Sequence, residues 1–314
     1  MGVKARLVLY APDEEAARRA ARLAFDRMHR LDDVMSDWRA DTELMLVHAA
    51  PPGVEIPVSH DLHEVLRRSR RISELTDGAF DVSVGPVVQL WREARRSGQM
   101  PEAGALTAAR ARVGWDLYRV GDEEDTVTLL APDMRLDLGG IGKGYAADQA
   151  ALALADAGVR SALIDIGGDL RVTAPPPGRR AWRVTVLTGD GETPRMTLDL
   201  ANEAVATSGD TEQSVEIDGL QYSHIVDPRT GLGLTTHAAA TVVAPDGATA
   251  DALASALCVA GPDRTIAILR TFGVEGVLTV VADGRRLRVG QIDRRMEDDP
   301  GPTDWRWGGS EWTP

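Results

Sequence analysis

Between Asp137 and Asp148 the chain reads Asp-Leu-Gly-Gly-Ile-Gly-Lys-Gly-Tyr-Ala-Ala-Asp, with four glycines in the six positions 139 to 144. An Ala/Leu-rich pattern of helical period follows directly. Glycines let a backbone approach a neighbour closely and take up positive φ at little steric cost. A glycine-rich turn that opens a helix also aims free N–H groups at whatever lies before it, which favours phosphate. Lys143 would add a point charge for the same anion. The residues are equally compatible with a tight strand-to-helix turn that holds no ligand.

Two common phosphate motifs do not fit. A P-loop needs glycine, four residues, then Gly-Lys-Ser/Thr. Counted back from Gly142-Lys143, its first glycine would be Asp137 and its hydroxyl Gly144. In G-x-G-x-x-G, Gly140 and Gly142 match but the last glycine would be Tyr145, which disfavours a nicotinamide oxidoreductase.

Composition narrows the classes further. The 314 residues suffice for one large or two ordinary domains, and 43% hydrophobic content permits a sizeable core. A net charge of -13 argues against nucleic acid or an anionic membrane as main partner. Cys258 is the single cysteine, so neither an internal disulfide nor a cysteine metal cluster can form; in its Ala/Leu-rich run it is expected to be a buried small hydrophobe. No apolar run approaches the roughly 20 residues of a membrane span. The opening Met-Gly-Val-Lys-Ala-Arg-Leu-Val-Leu-Tyr reads as a strand and not as a signal peptide, so a cytoplasmic location is expected.

Periodicity predicts a strand over 3–10, a helix over 13–35, a short helix opening near 41–44, and a helix capped by Ser59 that runs to Thr76. In 77–86, Gly78 and Gly85-Pro86 are expected to break any helix, and Phe80 and Asp81, if extended, to face opposite ways so that at least one leaves the core face. Helices over 87–96 and 107–113 and strands over 117–121, 126–131 and 134–137 lead into the glycine turn. Beyond its helix, which should stop at Gly158, come a strand over 161–173 broken by Gly167-Gly168 and a hairpin of 182–188 with 196–200 that turns at 189–191. Strands at 204–210 and 238–243, between them a strand from Tyr222 running into the Asp227-Pro228 turn, helices at 250–257 and 263–271, and strands at 276–281 and 286–292 complete the pattern. Strands and helices mix without βαβ alternation, which favours α+β. Residues 1–295 read as one domain, and 296–314, with Trp305, Trp307 and Trp312 amid Gly and Pro, as a C-terminal extension.

Asp251 and Ser255 stand four residues apart in a helical run and share a face. A carboxylate and a hydroxyl are hard ligands suited to Mg²⁺, and glycine-turn carbonyls and substrate phosphates could complete such a site. The pair can also be a helix cap and a packing serine. Trp38, at a helix–loop junction, can be a core aromatic or a stacking platform. His224 lies beside Asp227 at a strand-to-turn junction and can act as a general base or simply satisfy local backbone. His29, His60 and His63 are expected to be solvated, and His48 and His237 have no evident partner.

Seven segments, in order, resemble the ApbE family of FAD:protein FMN transferases. They are Met35–Leu44, Thr76–Pro86, Asp137–Asp148, Asp165–Asp169, Ala206–Asp210, Ser223–Gly231 and Ala250–Leu257, and Met1-Gly2 resembles the family's opening. The resemblance implies a T-fold-like α+β domain with mixed or antiparallel sheets. It implies Mg²⁺-dependent transfer of FMN from FAD to a Thr or Ser hydroxyl of a partner flavoprotein, with release of AMP. By position, Met1, Trp38, Ala79, Phe80, Asp81, Asp137, Lys143 and Val226 would contact FAD. Gly140, through its carbonyl, Asp251 and Ser255 would hold magnesium, and His224 would be the base. Three positions depart from the family pattern. Ser255 replaces a common Thr, Ala254 stands where some members have a carboxylate, and Thr211 stands where an aromatic is usual, at the acceptor side of the pocket. Two further readings are an Mg²⁺-dependent FAD pyrophosphatase giving FMN and AMP, and a flavin-binding protein without turnover.

Overall fold

A computed structural model describes residues 2–187, 195–209, 214–282 and 285–293. Met1, the 189–191 turn, Asp210, Thr211 and the 296–314 extension lie outside the described residues. In chain order the elements are β1 (Ala5–Tyr10), α1 (Glu14–Met35), α2 (Glu43–Ala49), β2 (Glu55–Pro57), α3 (His60–Thr76), α4 (Gly85–Ser97), α5 (Ala103–Arg110), β3 (Tyr118–Val120), β4 (Thr126–Leu129) and α6 (Gly142–Asp156). Then come β5 (Ser161–Ile166), β6 (Asp169–Val172), β7 (Trp182–Leu187), β8 (Arg195–Leu200), β9 (Ala204–Gly209), β10 (Ser214–Ile217), β11 (Leu220–Ser223), β12 (Val226–Asp227), β13 (Leu232–Gly233) and β14 (His237–Ala244). The last are α7 (Gly247–Ala260), α8 (Pro262–Phe272), β15 (Glu275–Ala282) and β16 (Arg285–Gln291).

A seven-stranded sheet in the order β1-β5-β6-β9-β14-β15-β16 forms the centre, each neighbour antiparallel to the next. Helices α1, α6 and α7 cover one face. The β7–β8 hairpin covers the other, where Trp182, Val184 and Leu198 pack on Leu170, Val205 and Val243. The fold is α+β, as the element pattern implied.

α7 is buried almost all round because it is hydrophobic all round. Ala250, Ala252, Leu253, Ala254, Ala256 and Leu257 are fully enclosed between the sheet, α3, α6 and α8. Burying a leucine this completely is worth about 1.5–3 kcal/mol. Cys258 is buried in the same helix, as expected of a small hydrophobe. Asp246 caps the helix, its Oδ1 accepting the Thr249 N–H at 2.9 Å. Ser59 caps α3 in the same way by accepting from Leu62.

Some boundaries differ from expectation. Gly85-Pro86 starts α4 instead of breaking a helix, because a proline without an N–H fits the first turn. α5 begins at Ala103, earlier than expected, since Glu102 accepts the N–H groups of Gly104 and Ala105. Residues 134–137 join no ladder; the chain runs buried through Met134 and Leu136, and Asp137 N–H bonds to Val82 O at 2.6 Å. Phe80 and Asp81 are both buried; Asp81, though extended, turns its carboxylate onto the 3-10 turn over Val82–Val84 and caps it by accepting the Ser83 N–H. The strand expected from Tyr222 is split into β11 and β12 by a bend, and its partner β10, short and with little periodicity, was not foreseen.

Candidate active site

A cavity of about 790 Å³ opens where the α6 glycine turn, α4, the β5–β6 turn and the bend after β11 converge. Trp38, Ala79, Phe80, Asp81, Asp137, Gly140, Lys143, His224, Val226 and Ser255 all line it. Asp251 lies one layer deeper, 1% exposed, and reaches the cavity through Lys143. The structure thus gathers every described residue that the resemblance assigned to the site into one place.

The glycines of the turn serve close approach and not positive φ: Gly139, Gly140, Gly142 and Gly144 all lie outside the left-handed region. A Cβ on Gly140 would stand 3.3 Å from the Phe80 ring and 3.3 Å from Ser255 Oγ. Gly140 backbone and the Ser255 hydroxyl are therefore neighbours, as a shared ligand would need. Ser255 Oγ also shares a hydrogen bond with Ser208 Oγ at 3.0 Å. Tyr145 turns inward, its hydroxyl donating to Asp61 Oδ1 at 2.8 Å, which ties α6 to α3.

Lys143 carries the central charge. Its Nζ lies 3.0 Å from Asp251 Oδ1 and 3.1 Å from Asp169 Oδ2, and donates to Gly139 O at 3.3 Å. Burial opposes the ammonium charge, but Asp251 and Asp169 outweigh it and raise the lysine's pKa above its ordinary value. Burial, then the Asp251 charge, raise the Asp169 carboxyl above its usual range against the pull of Lys143. Asp251 Oδ2 accepts the Gly144 N–H at 3.1 Å, so both of its oxygens are directed at the turn.

At the cavity's other wall, Arg92 bridges Asp37 Oδ2 at 2.5 Å and Asp137 Oδ2 at 2.9 Å. Asp137 Oδ1 accepts the Gly139 N–H at 2.8 Å and so shapes the turn it precedes. Burial, then the nearby Asp37, push the Asp137 carboxyl up against Arg92. Asp81 Oδ1 accepts both the backbone N–H and the hydroxyl of Ser83, and burial raises its pKa. Trp38 is 63% exposed beside this wall, so it is not a core aromatic.

His224 sits half-buried in the bend between β11 and β12. Backbone bonds pin both flanks: Ser223 N–H to Leu234 O at 2.8 Å and Leu234 N–H to Ile225 O at 2.9 Å. The Asp227 carboxylate, three residues on, is engaged by the Arg229 guanidinium through Nε and Nη2, each at 2.9 Å. Other histidines differ from expectation. His63 is buried, its Nε2 2.8 Å from Gly121 O and its Nδ1 3.1 Å from Asp125. His60, 3.3 Å from the same carboxylate, is exposed, as expected. His48 does have a partner: its Nε2 accepts the Leu136 N–H at 2.8 Å.

The donors at the glycine turn are a carboxylate, hydroxyls and backbone carbonyls, a hard set that fits magnesium and leaves room for phosphate oxygens. Among the described residues no group of three or more His, Cys, Asp or Glu is placed to hold a metal ion, so a cation here would rest on one carboxylate with hydroxyl, carbonyl and substrate oxygens. Asp169, Ser208, Arg92 and Asp37 belong to the site but were assigned no role from the sequence. Asp169, Ser208 and Asp37 fall inside segments that carried the resemblance, whereas Arg92 sits in an ordinary amphipathic helix with no local signal.

The ApbE family matches residues 1–278 of the chain. An FAD:protein FMN transferase of Klebsiella pneumoniae is 30% identical over 296 residues, covering 92% of this chain and 84% of that one. The FAD:protein FMN transferase of Treponema pallidum is 31% identical over 312 residues, covering 94% and 86%. The solved flavin transferase ApbE from Vibrio cholerae superposes with a TM-score of 0.81 at 29% identity, over 92% of this chain and 94% of that one. With the match running through all the segments that build the cavity, and with the same architecture beneath them, this chain belongs to the ApbE family.

Proposed function

We infer that this chain transfers FMN from FAD to a target flavoprotein, through a phosphoester to a Thr or Ser hydroxyl, and releases AMP. The relatives' shared activity supports the reaction class. The observation that carries the site is Lys143 held between two buried carboxylates beside a cavity walled by Trp38 and Phe80. The ammonium suits a diphosphate, the carboxylates a cation, and the aromatic wall a planar ring.

Asp251, Ser255 and the Gly140 carbonyl would hold magnesium, which when bound supplies charge neutralisation on the diphosphate. The chain's own residues do the rest. Lys143 presents an ammonium to the phosphates, and Trp38 and Phe80 offer aromatic surface to the flavin. His224 faces the cavity from a pinned bend and accepts the proton of the acceptor hydroxyl. The hydroxyl oxygen forms a bond to the FMN phosphorus as the bond to the AMP oxygen breaks. Positioning and charge stabilisation carry most of such a transfer, while a well-placed base contributes typically 10²–10⁴-fold.

The test is incubation with FAD and Mg²⁺, with and without a co-expressed FMN-binding domain, followed by mass spectrometry. FMN mass on an acceptor Thr or Ser supports transfer. Free FMN without acceptor indicates a pyrophosphatase, and intact bound FAD indicates a binding protein. His224→Ala should bind FAD as the parent does and lose transfer; full transfer at saturating FAD would remove His224 from the role of base.

A further inference from the structure

Gly167 and Gly168, both in the left-handed region at φ 61° and 93°, make the tight turn between β5 and β6. That turn delivers Asp169 as the first residue of β6, with its side chain only 8% exposed. One of its oxygens, Oδ1, accepts the Thr207 N–H at 3.4 Å. The other, Oδ2, makes the 3.1 Å ion pair with Lys143 but has no aligned hydrogen-bond donor among the described residues. The lysine's better-aligned bond goes to Asp251 Oδ1 at 3.0 Å.

This arrangement poses a competition. Asp251 Oδ2 is committed to the Gly144 N–H, so Oδ1 is the oxygen left to face a cation, and Lys143 occupies it. A divalent ion and an ammonium on one oxygen repel each other strongly in a buried site. Asp169 offers the ammonium a second carboxylate within reach of a small side-chain rotation.

We propose that Asp169 is a positioning residue that takes over the Lys143 ammonium when Asp251 turns to a divalent cation. The lysine then stays charged and in place for a diphosphate instead of contesting the metal. This rests on the reading above that Asp251 holds a divalent ion.

The experiment measures Mg²⁺ binding alone, by calorimetry on the full chain without FAD, in a double-mutant cycle of Asp169→Asn and Lys143→Met. Asp169→Asn should weaken Mg²⁺ about tenfold when Lys143 is present, the usual scale for a residue that orients a ligand. In the Lys143→Met background the same change should cost less than about twofold, because no ammonium remains to be seated. Asp169→Glu, which keeps the carboxylate, should restore most of the affinity; Asp169→Ser substitutes for the asparagine variant if that does not fold. Equal losses in both lysine backgrounds would show a plain charge effect and overturn the handover, as would an unchanged affinity in Asp169→Asn. A parent protein that binds no Mg²⁺ would overturn the metal reading itself, and the handover with it.

Discussion

Gly144 in α6 and Gly247 in α7 meet backbone to backbone: a Cβ on Gly144 would lie 2.0 Å from the Gly247 carbonyl oxygen, and one on Gly247 2.4 Å from that of Gly144. Around this crossing the helices are laced together. Asp148 of α6 accepts the N–H groups of Gly247 and Ala248 at 2.8 and 3.0 Å, and Asp251 of α7 accepts that of Gly144. The helix bearing Lys143 and the helix bearing Asp251 and Ser255 are thereby fixed in relative position.

Gly144→Ala should therefore disturb the site as well as the fold. Neither carbonyl can yield without moving a helix, so overpacking should cost about 1–3 kcal/mol or more. Thermal unfolding should show a lowered Tm, and Mg²⁺ titration of the folded fraction a weakened affinity. A variant with parental Tm and affinity would mean that the crossing is not what sets Asp251 against Lys143.

Trp38 gives a second expectation. It is large, 63% exposed and on the cavity wall, so its removal should leave stability nearly unchanged. Stacking of a planar ring on an aromatic is worth about 1–3 kcal/mol. Trp38→Ala should raise the KM for FAD by about tenfold or more with kcat largely kept, a pattern of lost uniform binding. Steady-state kinetics at varied FAD checks this, and an unchanged KM would take the flavin ring away from that wall.

The sequence revealed the site's composition better than its wiring. The glycine turn and the Asp251/Ser255 helix face stood out because glycine density and spacing on a helix are local properties, but each kept a ligand-free reading, and only the resemblance gathered them with His224 into one site. Trp38 could be read two ways, and only its exposure decides against the core. What spacing could not show is how Lys143 divides itself between Asp169 and Asp251, since those three residues meet only through the β5–β6 turn and the helix crossing. The same holds for the engagement of Asp227 by Arg229, and for His63, buried by a contact with the β3–β4 turn that no helical pattern on α3 reveals.

His48 supplies a prediction about pH. Its Nε2 accepts the Leu136 N–H, one residue before Asp137, and its Nδ1 has no hydrogen-bond partner among the described residues. Burial, then the Arg135 charge, push its pKa down to about 4. An unfolded histidine titrates near 6.5, so between those values the unfolded chain takes up a proton that the folded chain refuses. The stabilising contribution is fully present above about pH 6.5 and is lost as pH falls toward 4, by at most about 1.4 kcal/mol per pH unit. The raised carboxyls Asp148 and Asp169 act with the opposite sign, favouring the folded state at lower pH, so the net slope alone does not isolate the histidine. The difference between the parent and His48→Gln does, because the carboxyls are common to both. Denaturant unfolding at pH 7 and pH 5 should show the parent losing more stability than His48→Gln on acidification. Equal losses would mean that His48 is protonated in the fold and that the Leu136 N–H is held some other way.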